Sequence, residues 1–132
     1  MTTEQKRQLV LEAAEDAKAE RINALDLRGK TLIADYFVVC SGNSDVHIRS
    51  IAEKIQDALR EAGERALRVE GFREATWVLL DYGDVVVHVM REETRQHYGL
   101  EAFWQNAPII ESLREQASDE SRKRAGSEAG RD

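Results

Sequence analysis

The sequence predicts an α/β protein built on a single mixed β-sheet flanked by helices. Three observations carry this. Ile48, Ile51, Ala52, Ile55, Leu59 and Ala62 recur at i, i+3, i+4, i+7, i+11 and i+14, one apolar stripe along a helix. "YFVVC", residues 36–40, is a β-branched and aromatic run, short enough for a strand covered on both faces. "WVLLDYGDVVVHVM", residues 77–90, holds two apolar runs separated by a turn at Gly83.

In chain order, "EQKRQLVLEAAEDAKAERI" (4–22) is rich in Ala, Glu, Lys and Arg without Gly or Pro. Its Leu9, Ala13 and Ala17, with Val10 and Ala14, mark an amphipathic helix. "ALDLRGK" alternates apolar and polar residues before Gly29, as a short strand and turn do. After "YFVVC", "SGNS" breaks the strand; Ser44 is the N-cap of the apolar-striped helix and Gly63 its C′ stop. "RALRVEG" reads as a third strand, with two more at about 76–82 and 84–90. "EETRQHYGLEAFWQNA" closes the globular part as a short helical segment near Pro108. The order α-β-β-α-β-β-β-α puts helices against one mixed sheet. From about Ser112 the chain turns charged and loses large apolar groups, too few to offset ordering entropy. The reading is a globular domain over 1–108 and a disordered tail over 109–132.

The chain carries 19 basic and 25 acidic residues, a formal net charge of −6. A nucleic-acid binder needs a concentrated basic face, and only Arg122-Lys123-Arg124 offers one. Little direct contact with nucleic acid is expected, and a basic protein is the easier partner. One cysteine, Cys40, suits a reducing compartment. With no signal peptide or apolar span in the sequence, the expected location is cytoplasmic, without a membrane partner.

Several residues invite chemical readings. The loop Ser41-Gly42-Asn43-Ser44 between strand and helix could cradle a phosphate, but it lacks a Walker lysine and Asp45 would repel an anion. Cys40 with His47 could form a nucleophile and base, although a cysteine inside an apolar strand reads as packing. His97 reads as solvated. Asp81, Asp84 and His88 resemble a metal set; strand rise, however, puts His88 some ~13 Å beyond Asp84. The carboxylates fit better as turn residues around Gly83. Trp77 has two readings: a core-strand residue, or the anchor of an interface with Asp81 and Asp84 addressing basic groups.

The stretches "DYFVVCSGNSDVHIRSIAEKI", Glu70-Gly71, "WVLLDYGDVVVHVM" and "RQHYGLEAFW", spanning roughly 5–106, resemble the ribosomal silencing factor (iojap-like) family. The resemblance implies a nucleotidyltransferase-like topology. It implies binding of the large ribosomal subunit through ribosomal protein L-fourteen. It further implies steric exclusion of the small subunit, which represses translation under nutrient limitation. Organelle relatives are associated with large-subunit assembly. In family terms Trp77, Asp81, Tyr82 and Asp84 face the ribosomal protein, Met90 lies with Val86 and His88 on the neighbouring strand, and Arg95, Tyr98 and Glu101 belong to the closing signature. No catalytic residue, cofactor or metal is implied. An exposed Trp77 face could pair with itself, giving a homodimer off the ribosome. The alternative is a nucleotide- and magnesium-dependent nucleotidyltransferase. Asp81-x-x-Asp84 across a turn departs from the Asp-x-Asp pair that such enzymes place on a strand. A third reading is RNA binding through the basic tail triplet.

Overall fold

The computed structural model describes residues 1–99 and 101, and the backbone of 109–113. Helix α1 (Thr3–Asp16) starts at a capping box: Thr2 accepts from the Gln5 N–H, and the Gln5 side chain accepts from the Thr2 N–H. It ends well short of residue 22. Lys18 turns the backbone at φ 66°, and strand β1 (Glu20–Asp26) begins at once. Helix propensity of the "AKAERI" stretch yields there to tertiary pairing, which local composition does not report. Strand β2 (Tyr36–Gly42) is buried throughout.

Helix α2 (Asp45–Glu61) has the expected cap, Ser44 accepting from the His47 N–H, and Gly63 follows at φ 91°. The remaining elements are β3 (Arg68–Glu70), β4 (Trp77–Asp81), β5 (Val85–Arg91), α3 (Glu92–Tyr98) and β6 (Ile109–Leu113). Gly99, left-handed at φ 59°, ends α3. The closing helical segment expected to reach Pro108 lies, past Gly99 and apart from Glu101, outside the described residues, as do positions 114–132.

The six strands run in the order β3-β4-β5-β2-β1-β6. The central pair β2/β5 is parallel, and every other pair is antiparallel. The sheet is therefore mixed, as predicted. Strand β6 corrects the expected element order. It pairs along β1, with Ala24 opposite Glu111, just where the sequence reading set the start of the tail. Its stability comes from an open sheet edge far away in sequence, so composition alone gave no sign of it.

Alternation along each strand divides the sheet into two faces. On one, Ile22, Ala24, Tyr36, Val38, Val78, Leu80, Val85 and Val87 pack with α1 and α2 around Leu11, Ile48, Ile51 and Ile55. On the other, Leu25, Phe37, Val39, Val86 and Met90 form a second cluster, with Trp77 and Leu79 partly buried beside it. This second face carries the candidate site.

Candidate functional site

The β4/β5 register sets Trp77 opposite Met90, Leu79 opposite His88 and Asp81 opposite Val86. Trp77 and His88 are thus diagonal neighbours on one face, a spacing that long and aromatic side chains bridge. The Trp77 indole Nε1–H donates to His88 Nδ1 at 3.0 Å. Around this bond runs a row of rings. Tyr98, brought in by α3, lies 5.0 Å from the Trp77 ring centroid, and Phe37 on β2 lies 4.6 Å from that of His88. His88 is 3% exposed and Tyr98 60%, so the row runs from the interior to the surface. Burial pulls the His88 pKa down to about 4, against the opposing charge of Glu101. The imidazole is therefore neutral near pH 7; since Nδ1 accepts from Trp77, its proton sits on Nε2.

A buried polar clamp holds α3 against this face. Arg95, 1% exposed, donates from Nε and Nη2 to the two oxygens of Glu101 at 2.9 and 2.6 Å, and from Nη1 to Ser41 Oγ at 2.9 Å. Asn23 Nδ2 donates to Glu101 at 2.6 Å, and Ser41 Oγ donates to Glu92 at 2.9 Å. Arg21 pairs with Glu92 at 3.2 Å. Burial on its own would raise the Glu101 carboxyl, but the bonds and charge of Arg95, with help from Asn23 and Arg21, carry it below the ordinary range. Two-pronged guanidinium–carboxylate bonds of this kind fix geometry as well as add energy.

The turn holds the remaining expected contact residues. Asp81 accepts from the Gly83 N–H at 2.8 Å and pairs with Arg68 at 3.3 Å, while Gly83 takes φ 89°. Asp84 accepts from Thr3 Oγ1 at 2.6 Å and Lys6 Nζ at 2.9 Å, joining the turn to the start of α1. Burial opposes ionisation of Asp84, yet the Thr3 and Lys6 bonds outweigh it and hold its pKa below the usual value. Tyr82 is buried among the helix-side residues with Val78 and Leu80, and burial pushes its phenol up to about 12.

The seven expected contact residues therefore do not form one patch. Trp77 and Tyr98 meet at one end of the second face. Asp81 lies four residues along β4, some ~13 Å away. Tyr82 and Asp84 belong to the helix side. Met90 and Arg95 are fully buried, Met90 opposite Trp77 on β5 and Arg95 on α3 bonded to Ser41 and Glu101. Sequence reasoning missed the Trp77–His88 bond and the roles of Asn23, Ser41 and Glu92. A hairpin register centred on Gly83 would have given the first, whereas the others depend on where α3 lands.

The chemical alternatives meet filled geometry. At the Ser41–Ser44 loop the Asn43 N–H donates to His47 Nδ1 and the Val46 N–H to Asp45. A Cβ on Gly42 would come within 2.7 Å of Ile48. Two of the N–H groups that would face a phosphate are thus taken by side chains from the first turn of α2. His47 Nε2 lies 3.0 Å from the Ala17 carbonyl, so both ring nitrogens are engaged away from Cys40. Cys40 is fully buried, and desolvation drives its thiol up to about 12, against the nearby Arg95 charge. Among the described residues no group of three or more His, Cys, Asp or Glu is placed to hold a metal ion.

Comparison with known proteins agrees with the fold and the motifs. The family model described as "Ribosomal silencing factor during starvation" matches residues 1–132. A ribosomal silencing factor of Bacillus subtilis is 48% identical over 99 residues, 75% of this chain and 84% of the relative. That of Halalkalibacterium halodurans is 42% identical over 111 residues, 84% of this chain and 95% of the relative. A crystal structure of a Chromobacterium violaceum protein superposes with a TM-score of 0.78 at 34% identity, covering 89% of this chain and 97% of its own. With sequence, motif spacing and fold in agreement, the chain belongs to the ribosomal silencing factor family.

Proposed function

We propose that the chain silences ribosomes without catalysis, by docking on the large subunit through ribosomal protein L-fourteen and excluding the small subunit. Translation is thereby repressed under nutrient limitation. The observation that carries this reading is the Trp77–Tyr98 pair: two large rings in contact, reaching the surface from a rigid sheet and backed by a buried clamp. Such rigid aromatic anchors dominate binding energy where they are desolvated by a partner. The formal charge of −6 favours a basic protein surface and speeds its approach. Asp81 adds acidic character further along β4. The same aromatic face serves a homodimer when no ribosome is present. The place of action in this reading is the cytoplasm; among the described residues no helix is long and apolar enough to cross a membrane.

Co-sedimentation with purified large subunits tests the reading. Trp77→Ala and Tyr98→Ala each weaken binding by about thirty-fold, the size of a ~2 kcal/mol anchor, while thermal unfolding stays cooperative. Binding by both variants as tight as that of the unsubstituted chain overturns the assignment of this face.

A further inference from the structure

His88 is an unusual occupant of its position. It sits in the middle of β5 on an apolar face, packed against Phe37 and opposite Leu79. Any large hydrophobe would fill that space. The imidazole instead brings a desolvation cost, and among the described residues its Nε2 finds no hydrogen-bond partner although the atom is buried. It supplies two polar groups that a hydrophobe cannot, the Nε2 donor and the Nδ1 acceptor, and among the described residues only the acceptor is used, by the Trp77 indole at 3.0 Å. A half-buried tryptophan can otherwise rotate about two side-chain torsions. Here the indole is tied at Nε1 to the interior and touched by Tyr98, 5.0 Å away between centroids.

We propose that His88 is a positioning residue for the docking described above: it accepts the Trp77 indole N–H, holds the ring against Tyr98, and withdraws the indole's single donor from the surface. The inference rests on the reading of the Trp77–Tyr98 face as the docking face. With Nε1–H spent inside the molecule, Trp77 meets the partner through its ring, so apolar or cationic side chains fit against it and a lone hydrogen-bond acceptor does not. It also explains how the anchor avoids an entropic cost on binding, because the ring is already fixed in the free chain.

The test uses the full chain and purified large ribosomal subunits, with two readouts. The first is nitrogen-15 NMR of the unsubstituted protein: the Trp77 indole nitrogen should show a scalar coupling across the hydrogen bond to His88 Nδ1. The second is binding by His88→Leu, which fills the space without an acceptor, and by His88→Asn, whose Oδ1 stands near the position of Nδ1. His88→Leu is expected to bind about ten-fold more weakly or worse, and His88→Asn to recover to within about three-fold. A merely structural role predicts no such rescue, since Asn is the poorer core residue of the two. Absence of the coupling overturns the proposal even if a variant fails to fold, as does a folded His88→Leu that binds at full strength. Trp77→Ala separates the two levels: if it and Tyr98→Ala both bind normally, the docking face itself is wrong. If Trp77→Ala binds poorly while folded His88→Leu binds well, only the positioning role falls.

Discussion

At the scale of single residues, His88 and Asp84 make opposite electrostatic demands on the fold. His88 is held neutral, with a folded pKa of about 4 against an ordinary 6.5. Between those values the unfolded chain binds a proton that the folded chain refuses, so stability is full above pH 6.5 and falls as the pH drops toward 4. At ~1.4 kcal/mol per pH unit this amounts to about 3 kcal/mol. Chemical denaturation at a series of pH values should show that loss, and His88→Asn, with nothing to titrate, should remove it. Asp84 is held charged rather than neutral, yet its stability contribution runs with pH in the same direction. Its depressed pKa contributes stability above the ordinary carboxyl range that is lost as the pH falls further. Asp84→Asn weakens its bonds to Thr3 and Lys6 and should cost about 1–3 kcal/mol by urea unfolding. Combined with Lys6→Met the losses should be less than additive, since both changes remove the same pair. The turn role of Asp81 and Gly83 was legible from spacing alone. The partners of Asp84 were not, because Lys6 is 78 residues away and no local pattern joins them.

Among the elements, those with local signals were read well. The apolar stripe and caps of α2 fixed both its ends, and "YFVVC" gave the centre of β2. Ser44→Ala should cost about 1 kcal/mol, measurable as a lowered thermal midpoint. The ends of α1 and β1 were misjudged because pairing with β2 turns helix-favouring residues into strand, through a bulge in which Arg21 takes φ 50°. The loop before β4 is more constrained than its sequence suggests. Gly71 has φ 78°, and a Cβ there would collide with the Trp77 carbonyl oxygen. Gly71→Ala must therefore displace the strand end that carries the anchor. It should lower stability by more than about 1 kcal/mol and weaken large-subunit binding together, as a paired melting and co-sedimentation series would show.

For the molecule as a whole, the class, the mixed sheet and the helix layer followed from periodicity and element order. The assembly of the aromatic row did not, because it depends on α3 folding back on β2 and β5 through buried charges rather than through an apolar stripe. The sixth strand is the other long-range feature. A chain ended at residue 108 should melt several degrees below one ended at residue 113, since β1 then loses the partner along its outer edge.

The opposite edge of the sheet has a bearing on solubility. Strand β3 has three residues, all exposed, and its Arg68 is engaged with Glu70 at 2.7 Å and Asp81 at 3.3 Å. Exposed Leu67 and Val69 alone would invite a neighbouring chain to add a strand there. So brief a strand, studded with charge, gives an incoming one almost nothing to align with, and this guards crowded copies against edge-to-edge aggregation.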